Sequence, residues 1–312
     1  MPVLSVVVPC YNEEEVLPKL YPELCRVAES MGELTFEFDF VDDGSSDGTL
    51  EILRRLSRED GRVRFTSFSR NFGKESAMLA GLRMSTGDYT VIMDADLQHP
   101  PGMLREMYDA VKDGEYDVCA ARRVKREGEP KFRGAGSRLF FRLMNAMSDT
   151  EFVDGATDFR LMRRGVVEAV LSLPEYNRFT KGIFSWVGFR TKWLPFVSAE
   201  RAAGETKWSL AGLIRYSVDG MLAFSTRPLA LSSILGAISC AVALIVMIVT
   251  VVKTLVFGNP VAGYPTIVCL ILLIGGLLMF FIGVLGQYMS KTYLETKSRP
   301  AYVVRETEEG LK

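Results

Sequence analysis

Phe36-Glu37-Phe38-Asp39-Phe40-Val41-Asp42-Asp43-Gly44-Ser45-Ser46-Asp47-Gly48-Thr49 begins as a short apolar run and ends as an acidic turn. Aromatic and β-branched residues favour a strand, and the Asp, Gly and Ser cluster after them stops it. The same device recurs where Tyr89–Met93 runs into Asp94-Ala95-Asp96-Leu97-Gln98. Working outward, residues 3–9 read as a buried strand stopped by Pro9, Val63–Phe68 as a third strand and Asp117–Ala121 as a fifth. Helices are expected between them. The first covers Glu13–Met31 with Asn12 as N-cap, and the second runs to about Arg58. Two more cover Gly73–Met84 and roughly Gly102–Lys112. Such alternation predicts an α/β domain with a mostly parallel sheet and helices on both faces. Ligands of such sheets sit beyond the carboxyl ends of the strands, where both acidic turns lie.

Beyond residue 121 the pattern loosens. Thr157–Met162 and Phe189–Val197 have strand composition. Between Leu210 and Phe224, Leu210, Leu213, Ile214, Val218, Met221 and Leu222 recur at helical spacing, which suits either a core helix or one lying in a membrane interface. Then come two runs without a charged residue, Leu229–Val252 and Val261–Ser290. Each exceeds the roughly 20 apolar residues that cross a bilayer. Gly258-Asn259-Pro260 turns the chain between them. Arg215 and Arg227 precede the first run, Lys291, Lys297 and Arg299 follow the second, and Lys253 alone lies between, so both ends of the chain are expected in the cytosol. With no ionisable Asp, Glu, Lys or Arg in either run, an ion or proton pathway is disfavoured. The expected division is a cytosolic domain at 1–208 and an amphipathic juxtamembrane helix at 209–228. A two-span hairpin follows at 229–290 (about 229–252 and 263–287), then a cytosolic tail at 291–312. The short apolar N-terminal run lacks basic residues and reads as a strand, not a signal peptide. The expected location is therefore the cytoplasmic (inner) membrane, multi-pass.

Composition removes several functions. With 37 basic and 38 acidic side chains, a generic nucleic-acid binder is disfavoured. His99 is the single histidine, which excludes a HExxH zinc site. Five cysteines without a CxxC pair exclude a zinc framework or a secreted disulfide scaffold. There is no GxxxxGK[ST] and no GxGxxG after the first strand, so an ATPase or dinucleotide enzyme is disfavoured.

The carboxylates carry more. Asp94, Asp96 and Gln98 put three oxygen-bearing side chains at alternate positions after a strand, hence on one side of an extended segment. Such oxygens suit Mg²⁺ or Mn²⁺ shared with substrate phosphates, although a capped acidic turn gives the same letters. In the earlier turn, Ser46 or Asp47 could cap the next helix, while Asp42 and Asp43 could accept hydrogen bonds from a ribose or a base. Arg122–Arg142 holds eight Lys and Arg against two Glu, suited to phosphate or to a lipid surface. Arg201-Ala202-Ala203-Gly204-Glu205-Thr206-Lys207-Trp208 reads as a small cationic loop.

These segments carry a resemblance. Ser5–Glu13, Val41–Thr49, Asn71-Phe72-Gly73-Lys74, Asp94–Pro100, Thr157–Leu161 and Arg201–Trp208, followed by two apolar runs, resemble family 2 glycosyltransferases of the GT-A fold. Within that family they are similar to the bactoprenol glucosyltransferases and to dolichol-phosphate mannose synthase. The resemblance implies an inverting, metal-dependent hexosyl transfer from a nucleotide sugar to a polyprenyl phosphate, undecaprenyl phosphate in particular, for cell-envelope glycosylation. UDP-glucose leads as donor. UDP-N-acetylhexosamine, GDP-mannose with a dolichyl-type acceptor, and an aminoarabinose donor stay open, as does a non-catalytic nucleotide-sugar-binding membrane scaffold. By the same resemblance, Pro9, Tyr11, Glu13 and Asp42 hold the nucleoside, with Asp94 and Ala95 also on the donor. Asp94, Asp96 and Gln98 hold the metal, Mg²⁺ or Mn²⁺. Arg122, Arg133 and Ser137 match acceptor-phosphate positions, and Arg201 and Lys207 match the loop that closes on the donor diphosphate. Asp94, Asp96, Asp158 and Arg201 form the catalytic set, with Asp158 ranked as a sugar contact or structural group ahead of a general base. None of Trp186, Trp193 and Trp208 follows an Arg, a departure from the Q/RxxRW motif of processive synthases that argues for single transfer. Oligomeric state stays open, with a homo-oligomer allowed.

Overall fold

The computed structural model describes residues 1–124, 145, 153–197, 225, 227–257 and 263–311. Eight strands form one sheet: β1 (Val3–Cys10), β2 (Thr35–Asp42), β3 (Val63–Phe68), β4 (Tyr89–Ile92), β5 (Val118–Arg123), β6 (Ala156–Arg163), β7 (Thr191–Phe196) and β8 (Val304–Thr307). Their order across the sheet is β7-β5-β6-β4-β1-β2-β3-β8. The central strands β3, β2, β1 and β4 are parallel, as the alternation predicts. Two reversals are added: β6 runs antiparallel to β4 and β5, and β8 antiparallel to β3. The sheet is therefore mixed and mostly parallel.

Helices α1 (Leu17–Ser30), α2 (Thr49–Glu59), α3 (Lys74–Met84), α4 (Leu104–Val111), α5 (Arg164–Leu171) and α6 (Thr180–Trp186) cover it. One face buries Val6, Phe38, Phe40 and Phe65 against Leu17, Leu20, Leu53 and Leu104. The other buries Val7, Ile92 and Met162 against Met78, Leu82 and Val166. Central strands covered on both faces explain their continuous apolar runs. Gly81 lets α3 lie close on β1, because a Cβ there would overlap the Val7 side chain.

The first helix corrects an expectation. It starts at Leu17, not residue 13, and Asn12 does not cap it. Asn12 takes a left-handed backbone, φ 54°, and its Oδ1 accepts the Ser46 N–H at 2.9 Å. Residues 12–14 are committed elsewhere. The N–H groups of Asn12, Glu13 and Glu14 donate to Ser45 Oγ, Thr49 Oγ1 and Asp47 Oδ2. The loop after β1 is thereby stitched to the acidic loop after β2. Pro18 in the first turn then opens the helix without a missing donor.

The C-terminal segment brings a second correction, since 291–312 reads from sequence as a tail. Its strand β8 extends the sheet, and Arg54 grips Glu306 with Nε and a terminal nitrogen at 2.8 and 2.6 Å. Tyr302 stacks on Phe68 at 4.7 Å, and the Phe65 N–H donates to Glu308 at 3.1 Å. Between β7 and β8 stand two long helices that touch each other, α7 (Arg227–Phe257) and α8 (Tyr264–Thr296). The sequence expects two spans here. Among the described residues one helical stretch, Leu273–Thr296, is long and apolar enough to cross a membrane. The Tyr288 hydroxyl donates to the Ser225 carbonyl at 2.6 Å, and Glu295 accepts the N–H groups of Tyr176 and Asn177. The expected amphipathic stretch lies outside the described residues up to 224.

Candidate active site

Register decides what meets at the carboxyl edge. Cys10 pairs with Asp42, and Val7 with Ile92, so the loops after β1, β2 and β4 leave side by side. A reversed strand presents its start where parallel strands present their ends. Ile92 pairs with Arg160 of β6, so Ala156–Asp158 lies at the same edge as Asp94. Arg122, paired with Ala156, closes the row.

Lys74 joins these segments. Its Nζ sits 2.6 Å from Asp94 Oδ1 and 2.6 Å from Asp158 Oδ2. Burial works against the ammonium, yet the two carboxylates outweigh it and hold its pKa above the ordinary lysine range. Burial would raise Asp158, but Lys74 and Lys181 hold it well below the usual carboxylate range. Asp158 is thus held as an ionised anchor beside Lys74. Lys74 falls in one of the segments that carry the resemblance, yet the sequence alone assigns it no role. One signal was there: a lysine opening a helix opposes the helix dipole and needs acidic company.

Asp43 sets the turn that delivers Lys74. Its carboxylate accepts the Phe72 N–H at 2.6 Å and the Gly73 N–H at 2.9 Å, and Gly73 holds a φ of 96°. Burial pushes Asp43 up to about 6. Asp42, expected on the nucleoside, is 1 % exposed, and its two oxygens accept from Ser45 N–H at 3.0 Å and Ser67 Oγ at 2.7 Å. Gly44 crosses so close to the backbone of Arg70 that a Cβ would overlap it. Of the two expected caps, Asp47 accepts the N–H of Thr49, the first residue of α2, at 3.1 Å, and Glu14 adds a bond from the Gly48 N–H at 2.6 Å.

The second acidic turn is open. Asp94 is partly exposed, Ala95 is buried beneath it, and Asp96 Oδ1 accepts the Gln98 N–H at 3.1 Å. Leu97 turns the chain with φ 57°. Pro9, Tyr11 and Glu13 are partly buried at the neighbouring strand end, where the resemblance places a nucleoside. His99 is packed between Phe159 and Phe196 at 5.1 and 5.2 Å, and burial pushes its pKa down, which suits a neutral core ring. Arg122 is exposed and donates to the Asp154 carbonyl at 2.9 Å. Arg133, Ser137, Arg201 and Lys207 lie outside the described residues.

Among the described residues no group of three or more His, Cys, Asp or Glu side chains is placed to hold an ion alone. Two carboxylates and an amide oxygen suit a hard divalent cation that completes its shell with ligand oxygens. A cation, the Lys74 ammonium, already rests on Asp94. The residues fit a shared ion, not a caged one.

Comparison with known proteins places the chain in a family. The model of the family described as "Glycosyl transferase family 2" matches residues 5–171. The chain is 39% identical over 302 residues to the "Prophage bactoprenol glucosyl transferase homolog" of Escherichia coli (strain K12), covering 97% of this chain and 98% of that one. It is 39% identical over 302 residues to the "Bactoprenol glucosyl transferase" of Shigella phage SfX, with the same coverage. Among solved structures, glucosyl-3-phosphoglycerate synthase from Mycobacterium tuberculosis superposes with a TM-score of 0.47 at 19% identity, over 71% of this chain and 76% of that one. The acidic turns after β2 and β4 and all three residues of the Lys74 bridge fall within the matched segment, and the chain belongs to glycosyl transferase family 2.

Proposed function

We propose that the protein transfers glucose from UDP-glucose to the phosphate of a membrane polyprenyl lipid, undecaprenyl phosphate being the first choice, with inversion. One observation carries this reading. The 39% likeness to proteins named bactoprenol glucosyl transferase spans 97% of the chain, so it includes the reactive edge and the apolar helices together.

The helices support a membrane-bound enzyme. Large apolar side chains stand exposed along both, among them Ile245, Leu255, Leu273 and Met279. With 31 residues, α7 is about 46 Å long at 1.5 Å per residue, beyond the ~30 Å hydrocarbon layer. Strand β8 supports an even number of crossings, because the chain leaves the sheet domain before α7 and rejoins the same sheet after α8. If the uncharged part of α8, up to Ser290, crosses the bilayer, α7 crosses it the other way, with both ends of the chain in the cytosol.

The chemistry needs little proton transfer. A phosphate monoester has a second pKa near 6, so the acceptor is already a nucleophilic anion at neutral pH. Asp94, Asp96 and Gln98 would hold a divalent ion, Mg²⁺ or Mn²⁺, which supplies positive charge at the donor diphosphate. Lys74 sets the spacing of Asp94 and Asp158 and offsets their repulsion, so that both charges are in place before substrate arrives. Asp158, ionised and held by Lys74, orients a sugar hydroxyl. Arg122, with Arg133 and Ser137, takes the acceptor phosphate, while Arg201 and Lys207 close over the donor diphosphate. Pro9, Tyr11 and Glu13 line the nucleoside end.

Purified full-length protein incubated with undecaprenyl phosphate and labelled UDP-glucose should form an organic-extractable glucolipid. UDP-N-acetylglucosamine and GDP-mannose should give little. Efficient transfer from another donor would replace the sugar, and no transfer from any would return the chain to a nucleotide-sugar-binding scaffold.

A further inference from the structure

A second site lies behind the reactive edge. A cavity of about 310 Å³ opens between the first turn of α3, the loop before α6 and the foot of α8. Arg70, Arg178 and Lys291 supply three cations to its wall, and Ser76, Tyr176 and Asn177 supply polar groups. Two of these cations are held in place. Arg70 lies over the Phe72 ring at 3.9 Å and donates to the Asn71 carbonyl at 2.8 Å. Arg178 donates to the carbonyls of Leu173 and Val170 at 2.9 and 3.2 Å, which fixes its guanidinium at the end of α5. The one carboxylate in the wall, Glu75, is engaged by the N–H and hydroxyl of Thr180, and burial raises its pKa. Just outside the wall, Glu175 acts on Arg178, and Glu295, which accepts the Tyr176 and Asn177 N–H groups, acts on Lys291. The wall itself, three cations facing one engaged carboxylate, favours a bound anion.

Position selects its source. Lys291 is the first charged residue after the uncharged run 261–290, and it sits one turn before Glu295, which binds the loop that walls the cavity. A helix that crosses a bilayer would thus bring the cavity to the depth of the lipid headgroups. The first turn of α3 divides the two sites: Lys74 reaches Asp94 and Asp158, while Glu75 and Ser76 line the cavity. We propose that this cavity binds the phosphate headgroup of an anionic phospholipid and so seats the catalytic domain on the membrane. The inference rests on reading α8 as membrane-spanning.

Native mass spectrometry of the full-length protein, released from detergent with phosphatidylglycerol or phosphatidylcholine, tests it. Wild type should retain phosphatidylglycerol about tenfold better than phosphatidylcholine, the scale of one charge-assisted hydrogen bond. The double variant Arg70→Ser, Lys291→Glu should lose that preference while still resisting carbonate extraction from membranes. The single variant Lys291→Met, which only removes a charge, should show a partial loss and guards against misfolding of the double variant. Equal retention by wild type and both variants would overturn the proposal. So would displacement of the lipid by millimolar inorganic phosphate, which marks a free-anion site, or by short-chain polyprenyl phosphate, which marks an acceptor site. Carbonate extraction of wild type would remove the membrane-spanning reading itself, separately from the cavity result.

Discussion

Two acidic turns close neighbouring parallel regions of one sheet, and they do opposite work. The turn after β2 faces inward: Asp42 and Asp43 are 1 % and 4 % exposed, and their oxygens are taken by Ser45, Ser67, Phe72 and Gly73. The turn after β4 faces outward, with the Asp94 side chain 27 % exposed and held by a single ammonium. Four carboxylates at strand ends look alike in sequence. Burial sorts them into an inner pair that shapes the backbone and an outer pair that stays partly exposed at the sheet edge. The inner pair is still tied to the outer turn, because Asp43 fixes the turn that aims Lys74 at Asp94.

The contrast breaks most sharply at Asp96. Asp96→Ala should lower glucosyl transfer by about 10²–10³-fold, the scale of removing one preorganised electrostatic group, with the thermal midpoint unchanged. EDTA should reproduce that loss in wild type, and Mg²⁺ or Mn²⁺ should reverse it. Full turnover in EDTA would remove the metal from the mechanism. A large fall in midpoint would place Asp96 with the inner pair instead.

Lys74→Met should come next. It leaves Asp94 and Asp158 facing each other without their cation. Transfer should fall roughly ten- to a hundredfold, since hydrogen bonds to charged groups are worth about 1.5–3 kcal/mol. The double variant Lys74→Met, Asp158→Asn should recover part of the stability lost but not the transfer. Independent, additive effects on stability would show that the bridge is not coupled.

Asp43→Ala should act through the fold. It strips acceptors from two backbone N–H groups, each costing about 1–3 kcal/mol if left buried and unmet. Differential scanning fluorimetry should show a lower midpoint, and transfer should fall less than in Asp96→Ala. The reverse order would erase the distinction between the turns.

The smallest effect is in pH. Burial raises Asp43 from its ordinary value to about 6, so the folded chain holds a proton there that the unfolded chain has already lost. Its stabilising share is complete below about 4 and fades as pH climbs through about 6. The wild-type advantage in midpoint over Asp43→Asn should therefore shrink between about pH 4 and 6 and stay flat above. A growing advantage would reverse the assigned direction.

The sequence by itself determined the strands and helices of the parallel half, since β-branched and aromatic runs closed by Asp, Gly and Pro depend on neighbours along the chain. It determined the two carboxylate turns and the uncharged runs for the same reason. Only the tertiary structure decided that β6 is reversed, which carries Asp158 to the edge held by Asp94. Only it brought β8 back to β3 across a separation of more than two hundred residues, through the Arg54–Glu306 pair. The helix start illustrates the boundary: Asn12 has the chemistry of a cap, but its amide is spent on Ser46 of another loop. Local propensity sees the residue and its neighbours. The partner that outbids them is reached only after the sheet has formed.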